Sequence, residues 1–148
     1  MSQTPPSPDH NGSARLWVDG GARGNPGPAG AGAVLERPGE PPLGQGRFLG
    51  EATNNVAEYR DLLLGLRLAG GMGVRDLTVF SDSELMVRQL NGTYRVRDQG
   101  LKEYYREVKQ LLASAPFHCE VKHIPRSSNK DADRLANVGI DAGKPGRV

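Results

Sequence analysis

Residues 16–35 read LWVDGGARGNPGPAGAGAVL and place one acidic residue, Asp19, between an apolar run and a glycine-rich segment. Residues 16–18 are typical of a strand, and the glycines at 20–21 indicate where that strand ends. A carboxylate buried alone in such a position costs free energy. We therefore expect other polar groups of the chain to meet Asp19.

The composition fits one globular domain. The chain has 148 residues, which is enough for one domain with a hydrophobic core and too few for two of ordinary size. The net charge is only +2, so overall basicity gives no argument for nucleic-acid binding. The single cysteine, Cys119, excludes an internal disulfide and fits a reducing compartment. No apolar stretch approaches the roughly 18 residues that a membrane helix needs, and we expect a cytoplasmic protein.

The two ends of the chain differ from the rest in composition. Residues 1–13 are polar and proline-rich and contain no apolar segment, so they are not a signal peptide. We interpret them as a disordered tail, and residues 143–148 likewise. The folded domain is therefore predicted to span residues 14–142.

The spacing of apolar residues predicts an α/β fold with a mixed sheet. The predicted elements are, in chain order, strands at 15–21, 30–39 and 43–52, a helix at 55–73, a strand at 76–83, helices at 83–90 and 101–115, a strand at 117–125 and a helix at 127–140. Short connections favour an antiparallel arrangement of the first three strands. The near-continuous apolar run of the fourth strand suits a central position in the sheet.

Four acidic residues lie at the ends of these elements. Asp19 ends the first strand, and Asp82 ends the fourth. These two strands are predicted to be parallel neighbours joined by a right-handed crossover, which brings both aspartates to one edge of the sheet. Glu58 lies in the first turn of the crossover helix, and Asp133 lies near the start of the last helix.

Convergence of the four carboxylates would create a self-repelling cluster unless cations neutralise it. Mg²⁺ and Mn²⁺ are hard ions that prefer oxygen ligands of this kind. Two such ions about 4 Å apart can activate a water molecule and stabilise the leaving oxygen of a phosphodiester. The cluster therefore predicts a divalent metal site.

Each acid also has a simpler structural explanation. Asp19 before two glycines can form an Asx-turn. Glu58 stands three residues after Asn55, which is the spacing of a capping box. Asp82 can cap the helix that follows it, and Asp133 can lie on a solvated helix face. Only the combination of the four acids with the surrounding sequence argues for a shared site.

Four sequence blocks resemble the type 1 ribonuclease H family and occur in that family's order: DGGARGNPGPAGAG, TNNVAEY, FSDSELMV and HIPRSSNKDADRLAN. The resemblance extends from Arg15 to about Asp141. It implies a ribonuclease H-like fold, with a five-stranded mixed sheet of strand order 3-2-1-4-5 flanked by helices. It also implies a monomeric, metal-dependent endoribonuclease that hydrolyses the RNA strand of RNA–DNA hybrids. Catalysis would use two Mg²⁺ ions, with Mn²⁺ as a substitute, and leave 5′-phosphate and 3′-hydroxyl ends.

The resemblance carries a metal-binding and catalytic quartet onto Asp19, Glu58, Asp82 and Asp133. The choice of Asp133 over Asp131 rests on the N-x-x-A-D-x-L-A sequence. A physical argument agrees, because Ser128 and Asp131 have capping-box spacing, which would occupy Asp131 with the helix start.

His123 is a further catalytic candidate. It lies six residues before Asn129, at the spacing where the family places a histidine that assists product release or proton transfer. It can equally be an ordinary strand residue that shares a face with Phe117 and Cys119. Arg126 is the alternative, because some relatives use an arginine in this loop. Asn129 is expected to orient the loop or the last carboxylate.

The resemblance also assigns substrate contacts to four residues: Asn25, Thr53, Asn54 and Asn55. Amide groups can bond base edges and the ribose 2′-hydroxyl, and that hydroxyl distinguishes RNA from DNA. Helix capping is the alternative for the two adjacent asparagines. The glycines at 20, 21 and 24 are expected to let nucleic acid approach the backbone closely.

The chain departs from the family pattern at several positions. Glu84 stands where several relatives carry glutamine, and Glu51 where some carry arginine, so each adds negative charge near expected phosphates. Residues 91–100 replace a lysine-rich extra helix that many relatives have. We expect weaker hybrid binding than in those relatives, with a steep loss as salt rises. Three cations of the next helix either add to a modest basic face or are simply solvated: Lys102, Arg106 and Lys109.

Two other functions stay open. One is a non-catalytic nucleic-acid-binding module with the same fold, and the four acids argue against it because an inactive module has no use for unneutralised charge. The other is a different nuclease of the superfamily, such as one that acts on double-stranded RNA. The GNPG and TNN sequences favour a hybrid nuclease over this second alternative.

Overall fold

The computed structural model describes residues 12–143, which form a five-stranded sheet with helices on both faces. The elements are β1 (Ser13–Ala22), β2 (Gly27–Glu36), β3 (Leu43–Ala52), α1 (Asn54–Gly70), β4 (Asp76–Ser81), α2 (Glu84–Leu90), α3 (Gln99–Ser114), β5 (His118–His123), a 3-10 turn (Arg126–Ser128) and α4 (Lys130–Gly143). The strand order is β3-β2-β1-β4-β5. β1 pairs antiparallel with β2 and parallel with β4, so the predicted fold class is confirmed.

Several element bounds differ from the predicted ones. β1 begins at Ser13 and α4 ends at Gly143, each one residue beyond the predicted domain. β2 begins at Gly27, three residues earlier than predicted. The prediction of disordered tails otherwise falls on residues outside the described range. Within residues 12–143, none of the helices is both long and apolar enough to cross a membrane.

The start of α1 is set by Thr53, whose side-chain oxygen accepts a hydrogen bond from the Val56 amide at 3.2 Å. Thr53, rather than Asn55, is therefore the cap of this helix. Glu58 is the fifth residue of α1 and lies beyond its first turn. The alternative of a capping box between Asn55 and Glu58 is therefore wrong, and the Glu58 carboxylate is available for other contacts.

Two further capping assignments also change. Ser83 caps α2 by accepting a hydrogen bond from the Met86 amide at 3.2 Å, so Asp82 does not cap this helix. Ser128 lies in the 3-10 turn that precedes α4. Its predicted capping box with Asp131 is therefore wrong. The choice of Asp133 over Asp131 then rests on the sequence resemblance and on the position of Asp133 in the fold.

The crossover from β1 through α1 to β4 sets the position of the first two acids. The last parallel pair between these strands joins Val18 to Ser81. Asp19 and Asp82 are the residues that directly follow this pair, one in each segment, and they lie at the same edge of the sheet. Asp19 does not end its strand as predicted, because β1 continues to Ala22 in antiparallel pairing with β2. This continuous pairing also excludes an Asx-turn at Asp19.

Helix α4 lies directly against the backbone of β2 because that strand carries glycine at the contact points. A Cβ atom on Gly30 would overlap the carbonyl oxygen of Ala136, and one on Gly32 would overlap that of Ala132. Backbones can approach this closely only where a side chain is absent. The close contact holds the first turns of α4, including Asp133, beside the centre of the sheet.

Helix α1 covers the opposite face of the sheet over a hydrophobic core whose central members are almost fully buried: Leu16, Val18, Tyr59, Leu62, Leu66 and Val79. Gly20 faces α1 as well, since a Cβ atom there would overlap the Ala57 carbonyl group. The predicted role of Gly20 in close approach to nucleic acid is therefore wrong. A Cβ atom on Gly21 would make only an ordinary van der Waals contact, with Asn54 Oδ1 at 3.7 Å.

One acidic side chain, Asp61, lies inside the interface between α1 and the sheet. It is 1% exposed, and neither carboxyl oxygen has a hydrogen-bond partner of good geometry among the described residues. Burial, followed by the nearby negative charge of Asp19, raises the pKa of Asp61 well above its ordinary value. Interaction with the backbone groups of Asp19 and Gly32 lowers this pKa, but it offsets only part of the rise. The buried carboxyl group therefore destabilises the fold.

We expect Gly32→Ala to lower the free energy of unfolding by about 2–3 kcal/mol, because the new methyl group forces α4 away from β2. Gly70→Ala is the control, since a Cβ atom there meets no heavy atom nearer than 3.9 Å. Urea unfolding of both variants measures the difference. Equal stability of the two would contradict the proposed contact.

Asp61→Ala should raise the free energy of unfolding by about 1–3 kcal/mol, because it removes a buried polar group without a partner. A carboxyl group whose pKa is raised on folding destabilises the fold increasingly as pH rises above the unfolded value. The gain should therefore be larger at about pH 8 than at about pH 5. Asp61→Asn also removes this titration but should stabilise less, since its amide still lacks partners. Urea unfolding at both pH values tests this, and an alanine variant less stable at both would refute it.

Candidate active site

Three of the predicted acids meet at the edge of the sheet. Asp19, Glu58 and Asp82 each offer one carboxylate oxygen, and these three atoms all lie within 4.8 Å of one another. Asp133 approaches from α4 closely enough to hydrogen-bond Asp19. All four acids line one cleft of about 480 Å³. The fold therefore brings together the quartet expected from the sequence.

The crowding of these carboxylates changes how readily they ionise. Burial raises the pKa of Asp19 to about 8, with further contributions from the Asp133 hydrogen bond and from the charges of Asp82, Asp133 and Glu58. Burial also raises the pKa of Glu58 to about 7, although a hydrogen bond with Ser83 and the positive charge of Arg126 offset part of this rise. Shifts of this direction mean that the anionic cluster is destabilised without a neutralising cation.

Asn129 connects the parts of the chain that carry these acids. It is 1% exposed, and its side-chain amide donates to the Val18 carbonyl oxygen at 2.8 Å and to Asp82 Oδ2 at 3.5 Å. Its backbone carbonyl accepts a hydrogen bond from the Asp133 amide at 3.1 Å. Val18 directly precedes Asp19. Asn129 thus contacts the chain at or beside three of the four acids, as expected of a residue that orients the loop.

The two candidates for a residue that assists catalysis, Arg126 and His123, differ in position. Arg126 lines the cleft, and its charge lowers the pKa of Glu58. His123 is the last residue of β5, is exposed and is not among the residues that line the cleft. Phe117 is buried and Cys119 packs against the core, so His123 does not share their environment. The geometry therefore gives Arg126 the better access to the carboxylates.

The predicted substrate residues form a linked group beside the cleft. Asn54 Oδ1 accepts a hydrogen bond from the Ala22 amide at 2.7 Å, and Asn25 Oδ1 accepts one from the Asn54 amide at 3.0 Å. Asn54 and Asn55 line the cleft, whereas Asn25 and Thr53 are not among its lining residues. Because Thr53 caps α1, the helix-capping alternative for the two adjacent asparagines is wrong.

Two ion pairs that were not predicted lie at the rim of the cleft. Arg23, in the turn after β1, pairs with Asp141 at 2.6 Å and donates to Asn137 Oδ1 at 3.0 Å. Glu84 pairs with Arg88 at 2.8 Å, which offsets the negative charge that we expected to weaken phosphate binding. The i,i+4 spacing of the second pair is a signal that sequence alone contains. The first pair depends on the tertiary fold.

Comparison with known proteins places this arrangement in a family. The family model described as “Reverse transcriptase-like” matches residues 17–139. Bifunctional protein Rv2228c of Mycobacterium tuberculosis is 43% identical over 129 residues, which cover 86% of this chain and 35% of that protein. Ribonuclease HI of Halobacterium salinarum is 37% identical over 135 residues, which cover 90% of this chain and 67% of that protein. The chain thus spans only about a third of its Mycobacterium relative.

Two solved structures share the whole architecture. RNase H1 from Halobacterium salinarum NRC-1 superposes with a TM-score of 0.83 at 35% identity, covering 89% of this chain and 100% of that one. LC11-RNase H1, solved in complex with an RNA/DNA hybrid, superposes with a TM-score of 0.82 at 38% identity, covering 87% and 97%. From the family match, the sequence identities and the shared fold, we conclude that this chain belongs to the ribonuclease HI-like family.

Proposed function

We propose that this protein is an endoribonuclease that hydrolyses the RNA strand of RNA–DNA hybrids. The observation that carries the proposal is the meeting of carboxylate oxygens from Asp19, Glu58 and Asp82 within 4.8 Å. The likeness to a structure solved with an RNA/DNA hybrid supports this choice of substrate. A non-catalytic module would gain nothing from concentrating charge in this way. A monomeric state and a cytoplasmic location remain predictions from sequence.

The donor set fits hard divalent cations. It consists of carboxylate oxygens alone, which Mg²⁺ and Mn²⁺ prefer. Burial and the neighbouring carboxylates raise the pKa values of Asp19 and Glu58, and a bound cation would oppose both effects. Asp19, Glu58, Asp82 and Asp133 would hold the ions. When bound, two such ions would activate a water molecule and stabilise the leaving oxygen of the phosphodiester, giving 5′-phosphate and 3′-hydroxyl ends.

We assign hybrid recognition to the asparagines beside the acids. Asn54 and Asn55 line the cleft, and the side-chain NH₂ groups of Asn25 and Asn54 donate no hydrogen bond within residues 12–143. Such groups can donate to base edges or to ribose 2′-hydroxyls, which would select a strand by its sugar rather than its base sequence. We keep Thr53 in the substrate site as a neighbour of one phosphate and as the residue that fixes the start of α1.

The experiment that tests the function is cleavage of a labelled RNA–DNA hybrid, with RNA and DNA duplexes assayed in parallel. We expect cleavage of the hybrid RNA strand with Mg²⁺ and none with a chelator. Asp82→Asn should lower turnover by more than about 100-fold, because it removes a metal ligand, while folding is unchanged or improved by the loss of repulsion. Asp76→Asn, an exposed acid at the start of β4, is the matched control.

Retained cleavage by Asp82→Asn would refute the role of the quartet. Binding of the hybrid without cleavage by the wild-type protein in Mg²⁺ and in Mn²⁺ would support a non-catalytic module instead. Faster cleavage of the RNA duplex would assign the chain to a different nuclease class.

A second pair of variants separates the two candidates for the assisting residue. Because Arg126 lines the cleft, we expect Arg126→Ala to lower turnover by about ten-fold or more, with partial recovery in Arg126→Lys. His123→Ala should change turnover by less than about three-fold. Steady-state kinetics on the hybrid measure both values. A large loss in His123→Ala beside little change in Arg126→Ala would return the role to the histidine.

A further inference from the structure

A second groove lies between residues 92–96 and α3. It has a volume of about 650 Å³, and its polar walls are basic and aromatic. Its side chains include four cations and two tyrosines: Tyr94, Arg95, Lys102, Tyr105, Arg106 and Lys109. No acidic residue of the described range lines it. The groove is therefore a local concentration of positive charge in a chain whose net charge is only +2.

Most of this charge has no carboxylate partner. Arg106 pairs with Glu103. Lys109 donates to the Leu90 carbonyl oxygen at 3.3 Å, a contact that leaves its charge unneutralised. Within residues 12–143, Arg95 and Lys102 make no ion pair. Three of the four cations can therefore neutralise the phosphates of a polyanion.

The tyrosines show which kind of polyanion fits. Tyr94 is 46% exposed, and the Arg88 guanidinium lies 5.4 Å from the centre of its ring. Tyr105 is partly buried against the core, and the Lys109 ammonium lies 6.0 Å from its ring. A basic groove with accessible aromatic rings is the usual means of binding single-stranded nucleic acid, because unpaired bases stack on the rings. The bases of an intact duplex are already stacked and offer no free face.

The groove adjoins the acidic cleft through one chain of contacts. Glu84, at the rim of the cleft, pairs with Arg88, and Arg88 lies over the ring of Tyr94. These contacts follow α2, whose seven residues span roughly 10 Å. A strand that left the cleft along α2 would therefore need to extend by only a few nucleotides to reach Tyr94.

We propose that this groove binds a single-stranded nucleic-acid segment continuous with the hybrid in the cleft. The proposal rests on the proposed function for the identity of the bound duplex. The stacking ring would be Tyr94, and the phosphate contacts would come from Arg95 and Lys102. The groove would then favour hybrids that carry a single-stranded extension over blunt hybrids.

The test compares KM for a blunt hybrid with KM for the same hybrid extended at each strand end in turn. We expect at least one extension to lower KM about five-fold or more in the wild-type protein. Tyr94→Ala and Lys102→Ala should remove most of this gain, whereas Tyr94→Phe should keep it because the ring remains. Arg95→Ala should also reduce it, and Arg97→Ala is the matched control because Arg97 is exposed but does not line the groove. Kinetics on the blunt hybrid should be unchanged throughout.

No gain from any extension in the wild-type protein would overturn the proposal. The proposal would also be overturned if Tyr94→Ala kept the lower KM of the extended hybrid. It would be overturned as well if the groove variants raised KM for the blunt hybrid by the same factor, because the groove would then bind the backbone of the duplex. Binding of a labelled single-stranded oligonucleotide, followed by fluorescence anisotropy in a chelator, tests the groove independently of cleavage. We expect binding there that Tyr94→Ala weakens about five-fold. A protein that binds the oligonucleotide in this way but does not cleave hybrids would contradict only the proposed function.

Discussion

The backbone contact between α4 and β2 is the constraint on which the candidate site depends. Gly30 and Gly32 leave room for the carbonyl groups of α4, and this contact holds Asp133 beside Asp19. On the other face of the sheet, Gly20 lets α1 approach β1 in the same way and brings Glu58 to the same edge. Small residues in two adjacent strands thus determine how closely two helices approach. Four acids far apart in the sequence meet as a result.

That convergence carries an electrostatic cost that the fold must offset. Burial and mutual repulsion raise the pKa values of Asp19 and Glu58, and Asp61 adds another buried carboxyl group beneath them. The offsetting interactions are local. The hydrophobic core between α1 and the sheet stabilises the strands that carry the acids. Asn129 links the loop before α4 to Val18 and Asp82 by hydrogen bonds. The fold thereby holds charges together that would separate in a flexible chain, as a preorganised metal site requires.

The sequence predicts most of this fold but less of the site. Strand order and the parallel pairing of β1 with β4 follow from apolar spacing, crossover handedness and family resemblance. The capping alternatives offered for α1, α2 and α4 were wrong. Asn55, Asp82 and Ser128 have suitable spacing, but these helices begin one, one and three residues away from the predicted positions. Spacing alone also could not show that Arg126 faces the acids while His123 is outside the cleft. Nor could it show that Asp61 lies in the core, since burial is a property of the tertiary fold.

The low net charge of +2 includes two surfaces that carry opposite charge. Acids are concentrated in one cleft and unpaired cations in a neighbouring groove, so each surface has a strong local field although the sum is small. Glu84 and Arg88 lie between them and neutralise each other at 2.8 Å. On the binding path proposed above, a phosphate strand crossing this boundary would meet little repulsion before it reached the cations of α3. Residues 91–98 contain no helix, so the positive charge of this region comes from the loop itself and from α3. This side of the cleft therefore carries positive charge although residues 91–98 form no lysine-rich helix.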